Sequence, residues 1–293
     1  MVTATPSLAT FAAEHYAARL DSCERNTRQA LLAVEQFADW LTRPPMLGDL
    51  TESTLAAFLV SLSSRAAPNT IKNKRNYLLH LWRAAWEEGL VPNPPNAKRV
   101  PKPRVPAPIP EAYTLDDMRM ILDVAERLEG TTEGVASAGY WSSLIRTCYE
   151  TGGRIGAILK TCPQDFDQIT GTLILRGAND KTGKTHFHRL SAKTTHVIAK
   201  TEPDRRSRVW PWNKSQCWLC KQLERLILKP AGVAYGRSRG GIFHKFRRTA
   251  GTLCEANGGD GSRLLGNTRA VFERHYLDGR VAGNGQSQFL PQL

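Results

Sequence analysis

The chain has 293 residues, of which 41% are hydrophobic and 23% charged, as in an ordinary globular protein. No apolar run reaches the roughly 18 residues that a membrane-spanning helix needs, which excludes that class of membrane protein. The first residues lack a basic stretch followed by an apolar core, so we expect no secretory signal and a cytoplasmic location.

Charge is the most informative property of the composition. Lysine and arginine outnumber the acidic residues by 40 to 27, which gives a formal net charge of +13. This excess suits an anionic polymer, and nucleic acid is the predicted class of partner. A basic surface that is merely solvated is the alternative. Cys217 and Cys220 form a single CxxC pair in a stretch typical of an amphipathic helix, so we predict no metal site.

The first 90 residues predict three helices. Their apolar residues recur at helical spacing over 26–43, 50–65 and 68–89. Thr51 or Ser53 is the expected N-cap of the second helix, because a hydroxyl there accepts a hydrogen bond from a free backbone N–H. The third helix is predicted to begin at its proline and to end at a glycine.

The third helix is polarised along its length, with a basic first half and an apolar second half. Its basic side chains include Lys72, Lys74 and Arg75. We expect the apolar end to anchor in a core while these three side chains project towards a phosphate backbone. A solvated basic turn is the alternative.

A proline-rich segment follows, and eight of the 17 prolines of the chain lie between residues 91 and 110. Such a segment forms neither helix nor central strand and should be extended and semi-stiff. Its basic residues, expected to lie along a DNA duplex, are Lys98, Arg99, Lys102 and Arg104. We therefore predict a helical domain over 1–92, a basic linker over 93–110 and a second domain over 111–293.

The second half mixes helices with a small sheet. Thr114 and Asp117 are spaced as a capping box at a helix start, and another helix is expected to end at Gly152. Alternation predicts strands at 173–175 and 185–190, with a turn between them. The predicted fold class is α+β, mostly α: a helical domain, then a largely helical mixed domain with a small antiparallel sheet.

Near the C-terminus, the pattern of "GSRLLGNTRAVFERHYLDGR", residues 261–280, mostly predicts an ordinary helix. Leu264, Leu265, Val271 and Phe272 make its expected apolar face. Tyr276 follows one turn beyond that face. Taken alone it is a packing tyrosine with its hydroxyl at the edge.

Four sites in the second half carry polar side chains suited to chemistry. "TGGRIGAIL" places Arg154 at a helix start, and "NDKTGK" places Lys181 in a turn. "FHKFRRTAGT" places His244 and Arg247 on one helix face, and Tyr276 comes last. Each residue alone has a structural explanation, such as a helix cap, a solvated lysine or a buried histidine.

The order of these sites resembles the tyrosine recombinase (phage integrase) family. The resemblance rests on "TGGR", on "HKFRRTAGT" and on "LLGN" followed nine residues later by Tyr276. It covers nearly the whole chain. The helical first part resembles the core-binding domain of the family, and the part from about Pro110 resembles its catalytic domain. It implies a site-specific recombinase that cleaves and rejoins double-stranded DNA without metal, ATP or another cofactor.

The resemblance also implies a set of catalytic residues. They are Arg154, Lys181, His244, Arg247, Asn267 and Tyr276. The arginines would stabilise the extra negative charge of the transition state, and the tyrosine would form a 3′-phosphotyrosyl bond. The lysine would protonate the 5′-oxygen that leaves, with Lys184 as the alternative, and the histidine would share in proton transfer.

Two positions depart from the family pattern. Ala157 stands where many members carry an acidic residue that braces the site, and Asn267 stands where a histidine or tryptophan is common. Asparagine donates a hydrogen bond but is neither acid nor base near neutral pH. The hypothesis of a DNA-binding protein that has lost its chemistry therefore stays open. A type IB topoisomerase-like enzyme, which would use the same residues as a monomer, is a further alternative.

The resemblance further implies a homotetramer on DNA and a nucleoid-associated location. It leaves open whether an accessory DNA-bending protein takes part. Residues 280–293 are expected to be a tail exchanged between subunits, with Phe289 and Leu290 inserted, or else a frayed end. No separate arm-binding domain is expected before the helical part. Spacing rules fix neither the target site nor the direction of recombination.

Overall fold

A computed structural model describes residues 6–18, 24–106, 109–235 and 241–283. The chain divides into two compact units, Met1–Pro106 and Ala107–Leu293, and this division lies within the proline-rich segment. Among the described residues, no helix is both long enough and apolar enough to cross a membrane.

The first unit is helical. Its helices are α1 (Leu8–Ala17), α2 (Glu24–Leu41), α3 (Glu52–Ser61) and α4 (Pro68–Glu87). Their apolar faces meet in one core that includes Phe37, Phe58 and Leu78, all fully buried. Thr51 caps α3, as predicted, because its Oγ1 accepts a hydrogen bond from the N–H of Thr54 at 3.2 Å.

Arg75 is buried inside this unit, with 7% of its surface exposed. Its Nε and Nη2 donate to the carbonyl of Val100 at 3.2 and 3.1 Å, and Nη2 also donates to the carbonyl of Ala97. This corrects the prediction that Arg75 projects towards a phosphate. Ile71, Arg75 and Leu78 share one face of α4 by helical spacing, so the arginine follows the apolar residues inwards.

We expect Arg75→Ala to lower the stability of the chain rather than to weaken DNA binding directly. The substitution leaves the buried Val100 carbonyl without its donor, at a cost of about 1–3 kcal/mol. Thermal denaturation of the full chain measures this loss. Arg83→Ala is the matched control, because Arg83 is exposed on the same helix. An unchanged melting temperature in Arg75→Ala would contradict the structural role.

The second unit contains the remaining elements. They are α5 (Leu115–Glu126), β1 (Thr131–Thr132), β2 (Val135–Ala136), α6 (Ser137–Thr151), α7 (Ile155–Ile158), β3 (Phe166–Asp167), β4 (Thr172–Leu175), β5 (His186–Arg189), α8 (Ala192–Lys200), α9 (Gln216–Leu223), α10 (Ile242–Ala256), α11 (Gly261–Leu264), α12 (Arg269–His275) and α13 (Gly279–Ala282). A π-helical turn, Glu224–Leu228, continues α9.

The predicted fold class is confirmed, since the unit is largely helical with two small antiparallel sheets. Strands β3, β4 and β5 pair in that order, and Leu173 of β4 lies opposite His188 of β5. The predicted capping box is present, because Thr114 and Asp117 exchange side chain to backbone hydrogen bonds of 2.8 and 3.0 Å. Helix α6 packs into the core and ends at Gly152, whose φ of 59° is left-handed.

Candidate active site

Tyr276 lies at the C-terminal end of α12 and is only 7% exposed. Its N–H donates to the carbonyl of Phe272 at 2.8 Å, and its own carbonyl accepts from Oγ1 of Thr252 at 3.0 Å. Thr252 belongs to α10, so the backbone of Tyr276 is tied to that helix. These contacts set the position of the tyrosine ring relative to α10.

His244 and Arg247 lie on the face of α10 that meets Tyr276. The ring centroids of His244 and Tyr276 are 5.3 Å apart, and Cζ of Arg247 is 5.2 Å from the centroid of the tyrosine ring. Their three-residue spacing puts both side chains on one helix face. Three residues that were predicted from two separate sequence segments therefore form one cluster.

Arg247 is almost completely buried, with 4% of its surface exposed. Nη1 donates to the carbonyl of Gly152 at 2.5 Å, and Nη2 donates to the carbonyl of Leu265 at 2.6 Å. Its Nε and the Nδ2 of Asn267 are buried and make no hydrogen bond within the part of the chain that the structure describes. A buried donor without an acceptor is costly, and an anionic oxygen would satisfy it.

Arg154 is the N-cap of α7 and follows the left-handed Gly152. Its Nη1 donates to both carboxylate oxygens of Asp180, at 2.9 and 2.8 Å. Asp180 lies in the turn between β4 and β5, and its side chain is 7% exposed against 26% for Arg154. The hairpin turn therefore contacts the start of α7 through this ion pair.

Asp180 stays an anion across the neutral range. Its burial favours the neutral acid, but hydrogen bonds from the hydroxyl and N–H of Thr182 and from Arg154 outweigh this and hold its pKa at about 2. The charge of Arg154 is one of the causes of this lowered pKa.

Two histidines that the sequence analysis did not single out share the surroundings of both arginines. A small depression is lined by Thr151, Gly153, Arg154, Leu175, Asp180, His186, His188, Arg247, Leu264 and Leu265. His186 and His188 alternate along β5, and residues two apart in a strand point to the same face. The "HFH" pattern on a predicted strand would have identified them, because it places both histidines on one face of that strand.

The histidines of this site give stability a predicted dependence on pH. Burial, reinforced by neighbouring positive charge, lowers the pKa of His188 and of His244 from 6.5 to about 4. Between about pH 6.5 and 4, both histidines are therefore protonated in the unfolded chain but largely neutral in the folded chain. We expect the free energy of unfolding to fall as the pH drops through this range. Thermal melts across this range measure the effect.

The control for this experiment is a comparison of histidine variants. Replacing both His188 and His244 by glutamine should flatten the pH dependence between 6.5 and 4. His196→Gln should not, because His196 is exposed on α8. Equal slopes in the wild type and the double variant would contradict the assignment.

The segment that carries Tyr276 packs on α10 through a glycine. A Cβ on Gly251 would lie 2.8 Å from Cε2 of Phe272 and 2.9 Å from Cδ1 of Leu265, so both side chains need that position to stay empty. The predicted continuous helix is wrong, because the chain breaks between α11 and α12 at Gly266, whose φ is 63°. The helical period is therefore interrupted, and Val271 is 42% exposed instead of joining the apolar face.

The predicted general acids lie in the hairpin turn. Lys181 and Lys184 are both exposed, and neither side chain makes a hydrogen bond or ion pair within the described residues. The turn thus lies beside Arg154, and neither lysine makes a hydrogen bond to Tyr276 within the described residues. Ala157, where an acidic residue was expected from the resemblance, is a buried alanine of α7.

The predicted DNA contacts of the first unit differ in exposure. Lys72 and Lys74 are half-buried on α4, and burial lowers the pKa of Lys74. The exposed basic residues of the proline-rich segment are Lys98, Arg99, Lys102 and Arg104. The predicted insert of Phe289 and Leu290 lies outside the described residues. Among those residues, no group of three or more histidine, cysteine or acidic side chains is arranged to hold a metal ion.

No protein-family model matches the chain, and no curated protein matches it. Solved structures do. A lambda integrase tetramer bound to a Holliday junction is 18% identical over 96% of this chain and 79% of that chain, with a TM-score of 0.71. XerH recombinase bound to its difH substrate is 16% identical over 96% and 93%, with a TM-score of 0.69.

The integrase of the transposon Tn1549, in complex with a circular intermediate DNA, is 11% identical to the chain. The match covers 97% of this chain and 99% of that chain, with a TM-score of 0.67. Identities this low establish shared architecture. The chain has the fold of the tyrosine recombinases.

Proposed function

We propose that this chain is a site-specific DNA recombinase that cleaves and rejoins double-stranded DNA through a 3′-phosphotyrosyl intermediate. The observation that carries the proposal is the contact of the Tyr276 ring with both His244 and Arg247. A tyrosine packed only for stability has no need of a buried guanidinium and a histidine beside its ring. A tyrosine that attacks an anion does.

The arginines suit a phosphodiester. Attack adds negative charge to a group that is already an anion, so positive charge must be supplied where that charge develops. Arg154 and Arg247 line one depression, and guanidinium groups offer paired donors to phosphate oxygens. The unsatisfied Nε of Arg247 and Nδ2 of Asn267 are further donors for those oxygens.

Cleavage proceeds by displacement at the scissile phosphorus. The Tyr276 oxygen attacks the scissile phosphorus and forms a P–O bond, while the bond from phosphorus to the 5′-oxygen breaks. The phenolic proton passes to His244, which is neutral near pH 7 because its pKa is lowered to about 4. Lys181, or Lys184, protonates the 5′-oxygen as it leaves. The phosphotyrosyl bond conserves the energy of the cleaved link, so rejoining requires no ATP.

The proposed partner is double-stranded DNA, bound by a homotetramer. The lambda integrase structure is a tetramer on a Holliday junction, and the XerH structure contains a recombination substrate. In the proposed arrangement, the first unit is the core-binding domain, the second is the catalytic domain, and the exposed basic residues of 98–104 contact phosphates. The charge of +13 supports such an anionic partner and a nucleoid-associated location.

The test is formation of a covalent protein–DNA complex. Purified protein is incubated with nicked duplexes made from the DNA that flanks its gene. The nick lets the short fragment that carries the new 5′-hydroxyl diffuse away, which prevents rejoining and traps the intermediate. A denaturing gel should show a band of protein joined to DNA. Tight binding to the same duplexes without any covalent band would contradict the proposal.

A DNA-binding protein without chemistry is the second candidate. Two observations favour it: the exposure of Lys181, which makes no hydrogen bond to Tyr276 within the described residues, and the absence of acidic and basic side chains at Ala157 and Asn267. This alternative predicts binding of the duplexes with no band. A topoisomerase-like enzyme predicts relaxation of supercoiled plasmid by a monomer, which the same preparation tests.

A further inference from the structure

We propose that Asp180 is a positioning residue that orients Arg154 towards the scissile phosphate and fixes the turn that carries Lys181. This inference rests on the proposed function. It assigns a role to a carboxylate that would otherwise oppose the binding of an anion, and it follows from the contacts of Asp180 on both of its sides.

On one side, Asp180 occupies a single nitrogen of Arg154. Both of its oxygens accept from Nη1, and no hydrogen bond to Nη2 or Nε is formed within the described residues. The two remaining nitrogens are therefore available to phosphate oxygens. A guanidinium that is held through one nitrogen is also pre-oriented, because its donors form a rigid plane.

On the other side, Asp180 organises the turn. Its Oδ1 accepts from the N–H of Thr182 at 2.8 Å and from the hydroxyl of Thr182 at 2.6 Å. Its own carbonyl accepts from the N–H of Gly183 at 3.1 Å. Lys181 lies between these fixed residues, so one carboxylate links the position of the general-acid candidate to that of Arg154.

A second reading is that Asp180 competes with DNA, occupying Arg154 until phosphate displaces it. The geometry favours positioning for two reasons. The carboxylate is 7% exposed and accepts four hydrogen bonds, which makes displacement costly. Arg154 has no other acidic partner within the described residues. Ala157, at the position where an acidic residue was expected, contributes only a methyl group. The two readings predict opposite effects when the charge is removed.

Asp180→Asn and Asp180→Ala test the inference in single-turnover cleavage of a nicked duplex. We expect the cleavage rate to fall by about 10- to 100-fold, as misplacement of a catalytic group does. The affinity for the same duplex should be unchanged or tighter, since a negative charge has been removed. An unchanged or faster rate would overturn the inference, and a faster rate would identify Asp180 as a competitor of phosphate.

Asp167→Asn is the matched control. Asp167 is the last residue of β3 in the same sheet, and it accepts from the N–H of Ile169 and the hydroxyl of Thr170 in the turn that follows, at 2.8 and 2.6 Å. It has no cationic partner within the described residues. Its loss should leave the cleavage rate unchanged, so a shared defect of both variants would point to general disturbance of the sheet and overturn the inference.

A methylphosphonate at the scissile position separates positioning of Arg154 from a purely structural effect. This linkage lacks one charged oxygen and needs less cationic stabilisation. The defect of Asp180→Asn should therefore shrink on the neutral substrate. An equal loss on both substrates would overturn the link between Asp180 and Arg154.

Amide hydrogen exchange of the DNA-free protein tests the role of Asp180 separately from the proposed function. Asp180→Asn and Arg154→Ala should both raise the exchange rate of the Thr182 amide, whereas Asp167→Asn should not. This outcome does not depend on cleavage. If the wild type formed no covalent complex, that result would contradict the proposed function but not the coupling of Asp180 to Arg154. Unchanged exchange in both variants would overturn the coupling of Asp180 to Arg154.

Discussion

Tyr276→Phe should abolish covalent complex formation and leave the fold intact. The change removes only the phenolic oxygen, so the ring keeps its contacts with His244 and Arg247. Without that oxygen no phosphotyrosyl bond forms, and cleavage should fall to the background of the uncatalysed reaction. The measurement is the covalent band on a denaturing gel, together with the affinity of the variant for the same nicked duplex.

Tyr149→Phe is the control for the loss of a tyrosine hydroxyl. Tyr149 is half-buried on α6 and lies outside the proposed site, so its variant should form the covalent band at the wild-type rate. A band that persists in Tyr276→Phe would show that another residue is the nucleophile.

Arg247→Lys should produce the second largest loss, because Arg247 has both a chemical and a structural role. Lysine keeps the charge but cannot reach the carbonyls of Gly152 and Leu265 with two separate donors. We expect cleavage to fall by roughly 100- to 1,000-fold, the loss that follows removal of one transition-state donor. Stability should fall by about 1–3 kcal/mol, because a buried carbonyl loses its partner.

Arg154→Lys separates the two effects. Arg154 is partly exposed and bonds to a carboxylate rather than to backbone carbonyls. Its variant should therefore lose cleavage with little change in melting temperature. The Arg247 account would be contradicted if Arg247→Lys cleaved at the wild-type rate, or if it melted no lower than Arg154→Lys.

The elements of the second unit were largely predictable because their signals are local. The Thr114 capping box, the end of α6 at Gly152 and the hairpin each depend on residues a few positions apart. Backbone hydrogen bonding and turn chemistry determine such features directly. The break at Gly266 was missed, because apolar spacing on both sides of it fits one helix as well as two.

Burial of charged residues was harder to predict. Arg75 was assigned to the surface because it is basic, although its spacing from Ile71 and Leu78 places it on the buried face. Its partners are carbonyls of residues 97 and 100, and no sequence rule connects them to α4. A long side chain with several donors can enter a core wherever backbone carbonyls are left unpaired.

The composition of the candidate site was predictable only in part. The meeting of His244, Arg247 and Tyr276 follows the order implied by the family resemblance. Asp180 was not predicted, since its partner Arg154 is 26 residues away and the pair depends on how the hairpin folds back. The role of Lys181 as general acid stays a prediction, because its side chain is exposed in the turn.

The most direct test of the central claim is to identify the amino acid that becomes bonded to DNA. The covalent complex is digested with nuclease and trypsin, and the nucleotide-bearing peptide is sequenced by mass spectrometry. Cleavage after Arg274 and Arg280 would release residues 275–280, and we predict that the nucleotide is attached to Tyr276 within this peptide. A nucleotide on any other peptide would contradict the assignment of Tyr276 as the nucleophile.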